Sequence, residues 1–532
     1  MTTRTRATGN ATRRWAVGAV IGLLATAAGL AVAELVAAVT GPDTSPVVAV
    51  GSGAIALTPR VVQEFAISTF GSGHRPVLVG GVLALLATAA AVAGGIATRR
   101  LVAGALVLLA LSGIAMVAAA TATGGTVAAL PALAAAAVAI SVLVALLRLA
   151  RPRQEQSRLE AAQREEPSGD AAPDRWVARR TLLLAGLGTA GAAAATAAGG
   201  RWWQGVRFDA ASSRAGLVLP TPADPAPALP RGYRLQVPGL PPFHTPAEDF
   251  YRVDTALVVP QVPAHRWTLR IGGAVERPFE ITFDELLDRE LVERDLTLSC
   301  VSNEVGGPYV DTGRWLGVPL ADLLREAGPR AGSDQLLSRS HDGMTIGTPL
   351  RAVLDGRDAL LAIGLDGEPL PARNGFPARM IVPGLYGYTS ATKWVVELDV
   401  TRFDQAEAYW TERGWDPIGE VKTASRIDVP RPLAEVPAGE VTVAGVAWAQ
   451  HRGISAVQLR VDGGEWIDAE LSADAGIDLW RQWRFTAELA SGTRWLEVRA
   501  ADGDGRVQQQ ERVDPFPDGA TGWHSVAVRV TG

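Results

Sequence analysis

The 532-residue chain holds a single cysteine, Cys300, and six histidines, at positions 74, 244, 265, 341, 451 and 524. A thiol can attack an electrophile, ligate a soft metal or simply fill a core, and free cysteines are among the most often buried residues. One cysteine forms no intrachain disulfide. No two histidines stand at the close spacing of a His-x-x-x-His pair, which disfavours a zinc hydrolase. The surroundings of Cys300 therefore carry the question. Leu296-Thr297-Leu298-Ser299 alternates as a strand and leads into Cys300, and Val301 to Gly307 follows as a glycine-bearing loop, a common place for reactive groups.

Leu298-Ser299-Cys300-Val301-Ser302-Asn303-Glu304-Val305-Gly306-Gly307 resembles the loop through which sulfite oxidase family enzymes hold molybdenum by one thiolate. Other stretches are similar to family motifs and stand in the family's order. They are Phe250 to Thr255, Gly313 to Val318, His341-Asp342-Gly343, Asn374 to Arg379, Pro383 to Tyr388, and Lys393-Trp394. The resemblance spans about 200 residues and implies a molybdopterin cofactor with Cys300 as the metal ligand; several ordered motifs are far more specific than one. A soft thiolate suits a transition metal that dithiolene sulfurs also hold, and a pterin phosphate needs cationic and N–H donors. By motif position, Tyr251 and Arg252 would contact the pterin, Asn374 and Arg379 its ring or phosphate, and the Gly387, Tyr388 to Lys393 turn its phosphate. Asp342 is a further cofactor-binding candidate, although Asp-Gly is more often simply a turn. Without the motifs, Arg379 and Lys393 would read as ordinary surface ion-pair residues.

The family's reaction is oxygen-atom transfer, for which the cofactor supplies the chemistry and the protein the orientation. The resemblance thins at the substrate. Trp415 takes the place of an active-site tyrosine, and Glu304-Val305 stands where paired arginines follow the metal cysteine in animal and plant enzymes. Trp415 and Arg413 are the remaining catalytic candidates, with Arg413 and Arg426 able to meet an oxyanion. The expected substrate is a small sulfur-type oxyanion or a similar molecule, with an S- or N-oxide reductase as the alternative.

These groups must be positioned by several domains. Four segments reach the roughly 20 apolar residues that cross a bilayer: Trp15 to Thr40, Pro76 to Thr98, Leu101 to Thr123 and Thr126 to Leu147. Arginine clusters at 4–14, 99–100 and 148–153 fall on the cytoplasmic side by the positive-inside tendency. Thr58-Pro59 opens an expected interfacial helix over Val61 to Phe70. A charged linker precedes Arg179-Arg180, which resembles a twin-arginine signal ahead of a fifth apolar helix, Thr181 to Ala198. Pro220 to Pro230 reads as an extended spacer. Thr282-Phe283-Asp284-Glu285 is a capping box opening a helix to about Arg294, and Pro319 to Ala327 is a second helix stopped by Gly328. Alternating runs at 441–448, 456–461 and 495–500 predict a β-sandwich, and the end of the chain resembles the family's immunoglobulin-like dimerisation domain.

The expected fold is thus multi-domain: an N-terminal transmembrane helical bundle, an α+β molybdopterin domain and a C-terminal all-β immunoglobulin-like sandwich. Its boundaries are 1–149 for four transmembrane helices, 150–180 for the linker, 181–199 for the fifth helix, 200–240 for the spacer, 241–428 for the molybdopterin domain and 429–532 for the sandwich. A net charge of -5 gives no basic field for nucleic acid. Before residue 200 the one histidine is His74, so no haem is expected between the helices, and a separate cytochrome or quinone-linked carrier would exchange electrons. The catalytic domain is expected on the extracytoplasmic side of a cell membrane, as a possible homodimer. A non-enzymatic surface receptor is the competing class, disfavoured because a binding module has no need of the Cys300, Asn374, Arg379 and Lys393 set.

Overall fold

The Ala- and Gly-rich apolar runs of the first 200 residues form helices, as uninterrupted backbone self-bonding in an apolar setting requires. In the computed structural model, which describes residues 2–58, 62, 74–123, 126–150 and 173–532, these are α1 (Thr2–Thr40), α2 (Pro46–Leu57), α3 (His74–Ala97), α4 (Leu101–Thr123), α5 (Leu130–Ala150) and α6 (Pro173–Arg207). The chain divides into two units, Met1–Asp209 with Thr255–Gln261, and Ala210–Asp254 with Val262–Gly532.

Among the described residues, five helices are long and apolar enough to cross a membrane: Thr12–Thr40, Val77–Ala97, Leu101–Thr121, Val127–Ala150 and Arg180–Ala215. The fifth segment is longer than expected, and a 3-10 turn, Thr126–Ala129, delays the start of α5. Helix α2 was not anticipated; Pro46 sits in its first turn, where a missing N–H does no harm. The interfacial helix expected over Val61 to Phe70 lies outside the described residues, Val62 apart, as does most of the linker.

Small residues set the packing of this unit. A Cβ on Gly94 of α3 would lie 2.0 Å from the Gly18 carbonyl oxygen and 2.7 Å from the Gly22 Cα of α1, so these backbones touch. On α6, a Cβ on Gly200 would lie 2.8 Å from the Leu35 nitrogen of α1.

In the second unit, nineteen strands form four sheets. The first sheet runs β2 (Phe279–Thr282), β1 (Thr268–Gly273), β10 (Val395–Thr401), β5 (Gln335–Ser340), β6 (Thr345–Pro349). The second runs β3 (Val292–Ser299), β4 (Val310–Pro319), β7 (Leu360–Leu365), β8 (Glu368–Pro369), with β9 (Arg379–Ile381) also on β7. One apolar core serves both, containing Leu269 and Leu398 of the first sheet, Leu298, Trp315 and Ile363 of the second, and Leu320, Leu323 and Leu324 of the helix Leu320–Ala327. That helix ends on Gly328 at φ 71°, as expected.

The capping box is present: the Glu285 N–H donates to Thr282 Oγ1 and the Thr282 N–H to Glu285 Oε2. Its helix, however, spans only Phe283–Leu287 and does not reach Arg294. Val292 to Ser299 pair residue by residue with Gly317 to Val310 of β4, and this ladder outweighs helical continuation.

The last hundred residues form two further sheets, β11 (Ala424–Val429), β13 (Gly439–Trp448), β17 (Arg481–Leu489), β16 (Glu470–Leu471), and β12 (Glu435–Pro437), β19 (His524–Thr531), β18 (Gly492–Asp502), β14 (Ile454–Val461), β15 (Ile467–Asp468). Val443 and Trp483 of one and Leu459, Val498 and Val528 of the other share one core.

The Pro-rich stretch differs from a free spacer. The Ala223 N–H donates to the Leu291 carbonyl at 2.8 Å, the Glu293 N–H to Asp224 at 2.9 Å, and the Leu235 N–H to Gln482 Oε1 at 2.8 Å. It is extended but bonded along the unit, because its carbonyls and N–H groups meet a strand edge that needs them.

The close contact of α1 and α3 predicts that Gly94→Leu destabilises the helical unit by about 1–3 kcal/mol. Thermal unfolding in detergent would show a lowered midpoint; an unchanged one would mean the helices are not in backbone contact.

Candidate active site

Cys300 stands at the end of β3, 8% exposed, with its N–H on the Tyr309 carbonyl at 3.0 Å and its sulfur 2.9 Å from Ser302 Oγ. Burial pushes its thiol pKa up, opposed by the hydrogen bond to Ser302 and the field of Lys393. A thiol held protonated in this way is a poor free nucleophile, whereas a metal would deprotonate it outright.

Around it the fold collects groups that are distant in sequence. Tyr251 has its N–H on Asp311 Oδ2 at 2.7 Å. Its phenol is raised well above the usual value by burial first, then by Cys300, and is lowered by Arg379. Asp311 itself is pushed up to about 6 by burial. Arg379 begins β9, buried, with one guanidinium N–H on the Asn374 carbonyl at 3.1 Å and its carbon 5.2 Å from the Trp315 ring centroid. Lys393 is buried beside Asp254 at 3.0 Å, and the same carboxylate takes Arg252 at 2.7 Å. Burial lowers Arg379 to about 10 and Lys393 to about 8. Gly375, at φ 116°, lets these elements meet: a Cβ there would lie 3.0 Å from that of Arg379 and 3.2 Å from that of Lys393.

Asn374 is fully buried, and neither its Oδ1 nor its Nδ2 has a hydrogen-bond partner. An orphaned buried amide costs about 1–3 kcal/mol per unpaired group, so it is retained for something else. Tyr251, Arg252, Asn374, Arg379 and Lys393 thus form one neighbourhood with Cys300.

Gly387 and Tyr388 open the short helix Gly387–Ser390. A Cβ on Gly387 would lie 3.8 Å from the Ser299 carbonyl oxygen, so this turn abuts the end of β3. The Tyr388 hydroxyl donates to the Asp416 carbonyl at 2.6 Å, and burial raises its pKa.

Three further sequence candidates are held by their own neighbours. Asp342 sits in the β5–β6 turn with its carboxylate on the Met344 N–H at 3.3 Å. Arg413 lies 3.6 Å from the Tyr409 ring centroid and donates to the Tyr409 carbonyl. Trp415 packs against Tyr388, Trp410 and Phe516.

A small cavity of about 20 Å³ adjoins Cys300, lined by Asn303, Glu304, Tyr386, Ser425, Gln508 and Thr521 among others. No lysine, arginine or histidine lines it. Tyr386 belongs to a stretch already singled out, but Ser425, Gln508 and Thr521 come from the β region and carry no local signal. The Tyr386 oxygen accepts from the Lys422 N–H at 3.2 Å, and burial pushes its pKa up to about 12.

Comparison with known proteins bears on this arrangement. The family model for the oxidoreductase molybdopterin binding domain matches residues 256–410. Mitochondrial sulfite oxidase of Mus musculus is 29% identical over 327 residues, covering 52% of this chain and 59% of that protein. Sulfite oxidase of Gallus gallus is 30% identical over 316 residues, covering 50% of this chain and 68% of that one. The chain therefore spans less than two thirds of the mouse protein's length. A solved structure, the sulfane dehydrogenase SoxCD from Paracoccus pantotrophus, is similar at 22% identity and TM-score 0.48, covering 54% of this chain and 82% of that one.

The residues present fit a pterin cofactor with a metal and a phosphate: one buried thiol, one buried unsatisfied amide, and buried cations in excess of the one carboxylate, Asp254, that pairs with them. Two outcomes follow. Asn374→Leu should leave cofactor-free protein as stable or more stable, by about 1–2 kcal/mol in denaturant unfolding, while cofactor content falls; a large loss of stability would mean the amide is satisfied in solution. For Lys393, the folded pKa of about 8 lies below the ordinary 10.5. Between these values the unfolded chain binds the proton and the folded one does not, so cofactor-free stability should rise as pH rises from about 8 to 10.5. Phosphate affinity, which needs the protonated amine, should fall over the same range, and urea titrations with cofactor-retention assays would check both.

Proposed function

Because this chain belongs to the sulfite oxidase family of molybdopterin-binding oxidoreductases, we propose that it transfers an oxygen atom to or from a small sulfur-type oxyanion at a metal ligated by Cys300. The observation that carries this reading is the buried thiol beside an unsatisfied Asn374 and the buried Arg379 and Lys393. The cofactor, when bound, supplies two-electron redox chemistry at its metal. Arg379 and Lys393 would hold its phosphate by charge-assisted hydrogen bonds, Asn374 and Tyr251 its pterin, and burial of Arg379, Lys393 and Asn374 excludes water from their contacts. Tyr386, kept protonated, has its hydroxyl hydrogen free for a substrate oxygen in the cavity at Cys300.

That cavity favours a second reading. With one carboxylate, Glu304, and no cation in its lining, it offers an oxyanion hydrogen bonds but no ion pair. An uncharged S- or N-oxide, reduced with two electrons and two protons to release water, needs no such ion pair. The electrons would come from a separate reduced carrier, a cytochrome or quinone-linked protein.

The five apolar helices support a membrane anchor, with the catalytic unit on the extracytoplasmic side and α6 delivered through the twin-arginine pair Arg179-Arg180. The two-sheet end supports an immunoglobulin-like, dimer-forming domain.

Metal analysis of the full chain, made in a host that synthesises the cofactor, should find molybdenum, and Cys300→Ser should abolish turnover with the fold kept. A metal-free protein, or an active serine variant, would overturn the reading. Sulfite with an oxidised acceptor, run beside sulfoxides with a reduced dye, separates the two substrates.

A further inference from the structure

The loop behind Cys300 is fastened from two sides. Within its own region, Asn303 Oδ1 accepts the Tyr309 N–H at 2.9 Å and the Gly307 N–H donates to the Glu304 carbonyl at 2.8 Å. From the β region, Arg426 of β11 reaches in: it donates from Nη1 to the Gly307 carbonyl at 2.7 Å and from Nε to Asp428 Oδ1 at 2.8 Å. Arg426 is 7% exposed, and the other Asp428 oxygen is buried without a partner. The neighbouring residue, Ile427, gives its N–H to His524 Nδ1 at 2.9 Å. The far side of that ring presses on the loop, since a Cβ on Gly306, at φ 80°, would lie 2.2 Å from His524 Nε2.

We propose that Arg426 is a positioning residue for the metal-binding loop, fixing the direction of the Cys300 thiol through the Gly307 carbonyl; this rests on Cys300 being the ligand. A buried guanidinium needs a compensating carboxylate, and Asp428 supplies it. Stability alone does not call for this arrangement, because a loop carbonyl could be satisfied by water and the pair leaves one carboxylate oxygen bare. What the arginine adds is a rigid fork that ties the loop to a strand. A lysine could not reach Gly307 and Asp428 together with the same geometry.

The single cysteine makes the test direct. In cofactor-free full-length protein, Cys300 should react slowly with an aromatic disulfide reagent. Arg426→Ala should speed labelling on the order of ten-fold, the factor expected when a charged hydrogen bond that holds a loop is lost. Arg426→Lys should fall between. Arg484→Ala, which removes an exposed pair with Glu470 in the same β region, should label like the parent. In loaded protein, Arg426→Lys should also shift the thiolate-to-metal absorption band and the paramagnetic resonance of the half-reduced metal. Should Arg426→Ala not fold, the lysine variant carries both measurements. Parental labelling rates together with parental spectra would overturn the proposal. Failure of the ligand assignment is separate: it appears as absence of molybdenum from the parent, whatever the labelling rates.

Discussion

Strand β3 is the edge of its sheet, paired only with β4, and an open edge leaves N–H and carbonyl groups without partners. Both halves of that edge are closed by chain from elsewhere. At its start the Pro-rich segment pairs Asp224 with Val292. Further along, the Thr297 N–H donates to the Asp478 carbonyl, the Trp480 N–H to Thr297 Oγ1, and Gln450 Nε2 to Ser299 Oγ at 2.8 Å. The residue after Ser299 is Cys300, so whatever fixes this edge fixes the thiol. This accounts for the bonded spacer, and it explains why the mixed and all-β regions fall in one unit.

The second constraint is charge. Arg252, Arg379 and Lys393 share one neighbourhood with a single close carboxylate, Asp254, which already pairs with two of them. The depressed values of Arg379 and Lys393 mean that burying this surplus opposes folding, as does the orphaned Asn374 amide. A core chosen for stability would neutralise or remove these groups. Their persistence is intelligible if an anionic, hydrogen-bonding ligand completes them, since binding to the folded state then returns the deficit.

Most of this framework was legible in the chain. Apolar runs gave the helices because nothing but helix satisfies such backbone, and period-2 alternation gave β13, β14 and β18. Cys300 was legible through its loop, and the buried cations through their motifs. The Thr282 helix was overextended because Glu290 to Arg294 reads equally well as helix; only the partner strand β4 decides. The cavity was not legible at all. Ser425, Gln508 and Thr521 line the cavity at Cys300 from more than a hundred residues away in sequence, and ordinary polar residues of strands and loops announce nothing.

The surroundings of Trp415 follow from the same packing. Trp415, which resembles a substitution for a catalytic tyrosine, sits in a ring cluster with Tyr388 and Phe516, and Tyr388 lies two residues from Tyr386 at the cavity. Trp415 thus packs against the turn that presents Tyr386. Nearby cations are similarly committed: Lys422 to Asp518 at 2.8 Å, Arg452 to Asp502 at 2.9 Å and Arg426 to Asp428 at 2.8 Å. With each of these three cations already matched to a carboxylate, the cavity at the thiol offers hydrogen bonds and shape. Those are properties of the Cys300 loop and of the β-region residues that hold it.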